Sequence, residues 1–92
     1  MSQLFGKNIL ITGGATGIGK EMAKIALDKG VGKLVLWDED VEKLNETEWE
    51  FKQYHSNVFA IVVDVSDNQQ IISASEKTKQ LAGPIDILIN NA

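Results

Sequence analysis

Four short apolar runs recur along the chain, each rich in Ile, Val and Leu with little alternation of polar residues. Runs of this kind predict strands that are buried on both faces, as in a parallel sheet. The runs cover residues 8–11, 33–37, 58–63 and 85–89.

The three stretches between those runs have the spacing of helices. Apolar residues recur every three or four positions, which predicts one buried face for each helix. Gly30 is expected to end the first helix and Gly83-Pro84 the third, while Ser66 or Asp67 can cap the start of the third. The predicted buried faces are Ile18, Met22, Ile25 and Ala26; Val41, Leu44, Glu48 and Phe51, with Trp49 beside them; and Ile71, Ala74, Thr78 and Leu81.

The order of elements, βαβαβαβ, predicts an α/β fold in which right-handed helical crossovers join parallel strands. A doubly wound sheet with strand order 3-2-1-4, the first half of the dinucleotide-binding (Rossmann) fold, fits this order. The fourth strand would then form an apolar edge, which natural domains avoid. We therefore expect residues 1–92 to be one domain, truncated before the second half of a longer protein.

Composition narrows the class of protein. The formal charge is -4 and the nine basic residues are scattered, which argues against a nucleic-acid surface. The absence of cysteine excludes disulfides and thiolate metal sites. No signal peptide is recognisable, and no apolar run approaches the roughly 20 residues of a membrane span. We expect a soluble cytoplasmic protein.

A glycine-rich segment, TGGATGIGK from Thr12 to Lys20, joins the first strand to the first helix. Free N–H groups and the helix dipole favour an anion at a helix start, and glycines let the backbone approach a pyrophosphate. Gly13 is expected to make the turn, Gly17 to permit close approach, and Gly19 to let the helix pack on the strand. A Walker loop is excluded because Lys20 is not followed by Ser or Thr.

A carboxylate follows the second predicted strand. Asp38 lies 19 residues after Gly19, the distance at which an acid accepts hydrogen bonds from the adenosine ribose. The alternative is a solvated acidic turn that caps the second helix. For Glu39 and Asp40 that alternative is the better interpretation.

The glycine spacing resembles the T-G-x-x-x-G-x-G motif of the short-chain dehydrogenase/reductase family, met here at Thr12, Gly13, Gly17 and Gly19. Sugar-nucleotide epimerases related to that family usually have T-G-x-x-G-x-x-G. The resemblance implies that Thr16 donates its hydroxyl to a phosphate, and that Asp64 and Val65 meet the adenine. The final Asn-Asn-Ala resembles the family's Asn-Asn-Ala-Gly motif. The candidate cofactor-binding residues are Gly13, Ala15, Thr16, Gly17, Ile18, Gly19, Asp38, Asp64, Val65, Asn90, Asn91 and Ala92.

Two of these assignments have structural alternatives. Asp64 suits a helix N-cap as well as an adenine contact, and both roles are compatible. Taken alone, Asn90-Asn91-Ala92 is a turn signal. An Asn pair at a strand end can also satisfy backbone groups between strands.

Charge favours NAD over NADP as the cofactor. Asp38, with Glu39 and Asp40 behind it, repels a 2′-phosphate, and no basic residue stands nearby to attract one. Thr16 is neutral, where many family members that use NADP have a basic residue.

The resemblance implies hydride transfer between NAD and an alcohol or ketone, with a Tyr as acid or base, a Lys four residues later, and a Ser. Here the single tyrosine, Tyr54, is followed four positions on by Val58. Tyr54 is expected to be a half-buried packing residue and His55 a structural or solvated one. We assign no catalytic residue and no metal ligand. The alternative is a free-standing, non-catalytic nucleotide-binding module; an oligomer is compatible with either.

Overall fold

The computed structural model describes residues 3–91, in which strands and helices alternate. The elements are β1 (Asn8–Thr12), α1 (Gly17–Asp28), β2 (Lys33–Asp38), α2 (Val41–Lys52), β3 (Val58–Val62), α3 (Asn68–Ala82) and β4 (Ile87–Asn90). The predicted order βαβαβαβ is confirmed. Among residues 3–91, no helix combines the length and the apolar composition that a bilayer crossing needs.

The strands form one parallel sheet in the order β3-β2-β1-β4, as predicted for the first half of a doubly wound fold. The register brings the strand ends level with one another. Thr12, the last residue of β1, pairs with Trp37 of β2 and with Asn90 of β4. Asp38, the last residue of β2, pairs with Val62 of β3. The carboxyl ends of all four strands therefore meet at one edge.

Two hydrophobic clusters lie on opposite faces of the sheet, because successive strand side chains point to opposite faces. One face is covered by α1 and α2, the other by α3. The first cluster includes Ile9, Ile11, Leu34, Leu36, Leu44, Phe51 and Val58, and the second includes Leu10, Val35, Trp37, Ile61, Val63, Ala74 and Ala82. The two central strands are thus buried on both faces, as predicted.

The prediction of a doubly buried strand is wrong for β4. Its residues alternate between half-buried and exposed, and Leu88 is 60% exposed. Strand β4 is an edge strand among the described residues, and α3 lies mainly over β2 and β3. The side chains of β4 that point to the α3 face therefore have little to pack against.

The predicted buried face of α1 is wrong for two of its four members, while Met22 is half-buried against the core. Ile18 and Ile25 are 67% and 54% exposed, although Ala26 is buried as predicted. Small side chains let a helix approach a sheet closely, so the residues of α1 that contact the sheet are mostly small. The buried residues of α1 are Gly19, Ala23, Ala26 and Leu27.

The faces predicted for α2 and α3 are correct for some of their members and wrong for others. Leu44, Phe51, Ala74 and Thr78 are buried as expected, and Glu48 and Ile71 are half-buried. Other predicted members are exposed: Val41 to 50% and Leu81 to 38%, with Trp49, expected beside the stripe, at 70%.

Buried threonines replace some of the predicted apolar contacts. Thr47 lies on the buried face of α2, where the sequence pattern placed no contact. On α3, the hydroxyl of Thr78 accepts a buried hydrogen bond of 3.0 Å from the indole Nε1 of Trp37. The hydroxyl of Thr47 donates to the carbonyl oxygen of Ala15, so both threonine hydroxyls have a polar partner in an otherwise apolar layer.

The helix ends follow the predicted signals. Gly30 and Gly83 follow α1 and α3 with φ of +78° and +74°, a conformation that favours glycine. Asp67, rather than Ser66, caps α3 by accepting from the amides of Gln69 and Gln70.

Tyr54 and His55 follow α2. Tyr54 is 58% exposed, more than predicted, although its ring packs edge-on against Phe51. The His55 ring accepts at Nδ1 from the Asn57 amide, so its Nε2–H donates to the Val31 carbonyl at 3.2 Å. His55 therefore has the structural role that the sequence suggested.

The opposite, amino-terminal edge of the sheet is held together by Asn8. Its side-chain amide donates to the carbonyl oxygens of Ala82 and Pro84, which connect α3 to β4. Its backbone N–H donates to the carboxylate of Asp86 at 2.8 Å. These bonds fix the start of β4 beside the start of β1.

Candidate functional site

The carboxyl edge of the sheet brings the predicted site residues into one row. In the order of the strands, the row consists of Asp64 after β3, Asp38 on β2, the glycine loop (residues 13–16) after β1, and Asn90 on β4. Neighbouring strands lie about 4.8 Å apart, so the row spans several strand widths. This arrangement suits an elongated ligand with several polar groups.

Helix α1 begins directly after the glycine loop, and no side chain caps it. Thr16 is the N-cap residue, but its hydroxyl makes no capping hydrogen bond, and the first turn contains no acidic side chain. Backbone N–H groups in the first turn of a helix lack partners within the helix and have a partial positive charge. The amides of Gly17, Ile18 and Gly19 are therefore arranged to receive an anion.

Two glycines of the loop region have backbone conformations that L side chains rarely adopt. Gly13 has φ of +66° and makes the turn at the end of β1, and Gly17 has φ of +53° at the start of α1. A Cβ on Gly17 would meet nothing within 4 Å. Open space therefore lies beside the first amides of the helix, where a ligand would have to approach.

Two further glycines are required by close packing. A Cβ on Gly19 would collide with the Gly13 carbonyl oxygen and lie 2.8 Å from the side-chain amide nitrogen of Asn91. The close contact of Gly19 is thus with the glycine loop and the end of β4, rather than with a strand as expected. A Cβ on Gly14 would lie 2.8 Å from Cδ2 of Leu36, so the second glycine of the loop packs against β2.

Asp38 lies at the end of β2 with only 8% of its surface exposed, and its carboxylate is directed at the glycine loop. One carboxylate oxygen accepts a hydrogen bond of 3.0 Å from the backbone amide of Ala15. The other accepts from the amide of Asp40, also at 3.0 Å. A carboxylate offers about four lone-pair sites, so acceptor capacity remains for a ligand hydroxyl.

The side chains of the loop differ in what they offer a ligand. Ala15 is buried in the core, so only its backbone belongs to the site. Thr16 is exposed, and its hydroxyl is available because it does not cap α1. The exposed side chain of Ile18 lies in the first turn of α1, beside the uncapped amides.

A cavity of about 370 Å³ lies beside the loop, between the ends of β2 and β3. Four of the predicted residues line it: Gly13, Asp38, Asp64 and Val65. Sequence reasoning did not assign the other four lining residues to the site: Trp37, Glu39, Val63 and Ser66. They lie next to predicted residues in the sequence, so adjacency to Asp38 and Asp64 was the available signal.

Asp64 takes part in a tight turn rather than in the cap of α3. It accepts hydrogen bonds at one carboxylate oxygen from the amide of Ser66, at 2.9 Å, and from the Ser66 hydroxyl, at 2.6 Å. These two bonds favour the ionised form and hold the pKa of Asp64 below its ordinary value. Asp64 therefore adds a stable negative charge to this side of the site.

The ends of β1 and β4 are joined through the hydroxyl of Thr12. It donates to the side-chain oxygen of Asn90 at 2.9 Å and accepts from the backbone amide of Asn91, also at 2.9 Å. Asn90 thus bonds the side chain of Thr12 rather than a backbone group, the alternative that the sequence left open. Ala92, the last predicted site residue, lies outside the described residues.

The one basic residue of the glycine segment is occupied elsewhere. Lys20 donates to the carboxylate of Glu50 on α2 at 3.2 Å, in a partly buried ion pair. Its ammonium group therefore has a partner away from the loop. Within the part of the chain that the structure describes, no group of three or more His, Cys, Asp or Glu residues is arranged to hold a metal ion.

A comparison with known protein families points to the same kind of site as the glycine loop, the uncapped helix and the acid on the adjacent strand. A sequence model of the short chain dehydrogenase family matches residues 7–92. The chain belongs to this family. Short-chain dehydrogenase/reductase 3 of Homo sapiens is 34% identical to this chain over 86 residues. The match covers 94% of this chain and 28% of that short-chain dehydrogenase.

Two solved structures, a short-chain dehydrogenase/reductase and an L-sorbose reductase, contain the same fold. One from Burkholderia phymatum, in complex with NAD, has a TM-score of 0.88 and 28% identity, covering 96% of this chain and 31% of that one. L-Sorbose reductase from Gluconobacter frateurii, complexed with NADPH and L-sorbose, has a TM-score of 0.89 and 31% identity, covering 97% and 34%. The chain thus spans about a third of the length of its relatives, and those two structures hold different dinucleotides.

Proposed function

We propose that this chain is the NAD-binding portion of an oxidoreductase that transfers hydride between NAD and an alcohol or ketone. The observation that supports this most directly is the pairing of the uncapped start of α1 with the Asp38 carboxylate at the same edge of the sheet. The family membership and the NAD complex of the Burkholderia phymatum relative agree with it.

The residues present fit a dinucleotide. The amides of Gly17, Ile18 and Gly19 would receive the pyrophosphate, because no side chain caps them and the space beside Gly17 is open. The exposed hydroxyl of Thr16 would donate to the same phosphates. The Asp38 carboxylate would accept hydrogen bonds from the adenosine ribose hydroxyls.

The two ends of the row would hold the rest of the cofactor. Asp64 and Val65 line the cavity beside Asp38 and would contact the adenine. Asn90, Asn91 and Ala92 would border the site on the β4 side. In this assignment Gly13 makes the turn that brings the loop to the ligand, and the buried Ala15 contributes its backbone alone.

Charge supports NAD rather than NADP. Asp38, Glu39 and Asp64 all line the same cavity, and none of its described lining residues is basic. A 2′-phosphate placed there would face carboxylates without a compensating cation. Lys20 is paired with Glu50 and does not supply one.

In the proposed enzyme, bound NAD supplies the hydride chemistry, and this portion of the chain holds and orients it. The domain is proposed to cover residues 1–92, with the residues that move the proton and bind the alcohol or ketone in the remaining length of the parent protein. A cytoplasmic location stays a prediction from the sequence.

Calorimetric titration of the chain with NAD and with NADP tests this function. We expect saturable binding of NAD and binding of NADP weaker by roughly tenfold or more, as for one unfavourable charge interaction. The matched variant Asp38→Ser should narrow the difference between the two cofactors. Equal or tighter binding of NADP by the unaltered chain would refute the assignment of Asp38.

A further inference from the structure

Helix α2 contacts the glycine segment on both sides of the uncapped amides. Before them, the hydroxyl of Thr47 donates to the carbonyl oxygen of Ala15 at 3.4 Å, in a buried environment. After them, the carboxylate of Glu50 accepts from the ammonium group of Lys20. Thr47 and Glu50 are three residues apart, so they lie on the same side of α2. The amides of Gly17, Ile18 and Gly19 fall between the two contacts.

The contact of Thr47 completes a clamp on both backbone polar groups of one residue. The N–H of Ala15 donates to Asp38, and its C=O accepts from Thr47. Thr47 is 1% exposed and Ala15 is 2% exposed, so water does not compete readily for either bond. A threonine within a helix commonly bonds a carbonyl of its own preceding turn, whereas this hydroxyl reaches a different element.

The backbone conformation of Ala15 affects the anion site at the start of α1. Ala15 directly precedes Thr16, the N-cap of α1. Rotation of the backbone at Ala15 would therefore change the direction in which the amides of the first helical turn point. Binding sites of this kind lose affinity or rate when their groups are misplaced by about 1 Å.

We infer that Thr47 is a positioning residue for the pyrophosphate site, acting through the carbonyl of Ala15 together with Asp38. This inference rests on the proposed NAD binding, because it assigns a role in that same site. Thr47 does not itself touch the ligand. Its hydroxyl holds the loop in the conformation that presents the amides.

The test compares Thr47→Val, which removes the hydroxyl but keeps the shape, with Thr47→Ser, which keeps the hydroxyl. The probes are NAD, ADP-ribose and adenosine. Because one hydrogen bond is lost, we expect Thr47→Val to lower the affinity for NAD and for ADP-ribose about three- to tenfold. Adenosine lacks the pyrophosphate and should bind unchanged, and Thr47→Ser should restore binding. Asn8→Ala is the control, since it removes two side-chain hydrogen bonds at the opposite edge of the sheet.

Two results would overturn the inference. One is unchanged binding of ADP-ribose by Thr47→Val. The other is an equal loss for all three probes that Asn8→Ala reproduces, because that would indicate general destabilisation.

A readout without ligand separates this inference from the proposed function. Hydrogen exchange at the Ala15 amide should be faster in Thr47→Val, relative to core amides such as Leu34, and normal in Thr47→Ser and Asn8→Ala. If the unaltered chain binds no NAD, the proposed function fails, and the exchange rate alone decides whether Thr47 fixes the loop. Unchanged exchange in Thr47→Val would refute the clamp.

Discussion

The Asp38 carboxylate and the Ala15 amide, 23 residues apart in the sequence, are joined by a buried hydrogen bond of 3.0 Å. This bond ties the end of β2 to the glycine loop that follows β1. Asp38 therefore has a structural role that precedes any contact with a ligand. The same carboxylate fixes the loop and stands beside the cavity where the proposed ribose would lie.

Replacing Asp38 should destabilise the fold as well as weaken cofactor binding. In Asp38→Ala the amides of Ala15 and Asp40 lose their acceptor, and a buried donor without a partner costs about 1–3 kcal/mol. Urea unfolding of the Asp38→Ala variant and of the unaltered chain measures the difference in their free energies of unfolding. The control is Glu39→Ala at the exposed neighbouring position, which should change stability by about 0.5 kcal/mol or less. Equal stability of the two variants would show that the Asp38 bond contributes nothing.

A methyl group at Gly19 should disrupt the loop. The added Cβ collides with the Gly13 carbonyl, so Gly19→Ala must displace the backbone that presents the amides. We expect NAD affinity to fall by roughly tenfold or more, because small displacements in such sites are costly. Isothermal titration provides the measurement. Gly6 lies outside the glycine loop, and a Cβ there would meet nothing within 4 Å, so the Gly6→Ala variant should bind NAD normally. Normal affinity in Gly19→Ala would mean that the loop does not need this close approach.

The hydroxyl of Thr12 should stabilise the junction of β1 and β4. Thr12→Val keeps the side-chain shape but removes the donor to Asn90 and the acceptor for the Asn91 amide. We expect a loss of about 1–3 kcal/mol in the free energy of unfolding. Thr12→Ser retains the hydroxyl and should recover most of that loss. Should the serine variant be no more stable than the valine variant, packing rather than hydrogen bonding would explain the stability of the junction.

The sequence predicts the fold well because local sequence patterns mark the position of each element. Apolar runs mark all four strands, and glycines mark the ends of α1 and α3, so the element order follows from periodicity and turn chemistry. The strand order then follows from the resemblance to one fold. The predicted site residues also lie at one edge, because parallel strands end there together.

Helix faces were harder to predict, since they depend on which element lies nearby. Ile18 and Ile25 have the apolarity of core residues, yet α1 packs on the sheet through Ala23 and Ala26, whose small side chains permit a closer approach. Hydrophobicity alone therefore does not predict which side of α1 faces the sheet. Leu88 is exposed for a similar reason, because little of α3 covers β4.

The polar contacts of the site were not predictable from spacing. The partner of Thr47 lies 32 residues away at Ala15, and the partner of Thr78 lies 41 residues away at Trp37. A threonine in an apolar stripe gives no indication of what its hydroxyl will meet. By contrast, the bond between Ser66 and Asp64 spans two residues, and a turn of that spacing is recognisable in a sequence.

The Ser66 turn makes a prediction about pH. Hydrogen bonds from Ser66 favour ionised Asp64, so Ser66→Ala should raise the pKa of Asp64 toward its ordinary value. Because the folded pKa is lowered, the stabilisation is present above the unfolded pKa and is lost as pH falls through the folded value. Carboxyl-carbon NMR during an acid titration follows Asp64 directly. Asp67, which caps α3, serves as an internal reference. An identical Asp64 titration in both chains would show that Ser66 does not favour the charged form.

Titration of the isotope-labelled chain with NAD, followed by amide NMR, is the most direct test of the dinucleotide site. Binding at the carboxyl edge should produce the largest shifts at the amides of Gly17, Ile18 and Gly19, with further shifts near Asp38 and Val65. Amides at the opposite edge, near Asn8 and Asp86, should remain unmoved. Shifts confined to that opposite edge, or saturable binding that leaves the first turn of α1 unchanged, would show that the pyrophosphate does not bind where we propose.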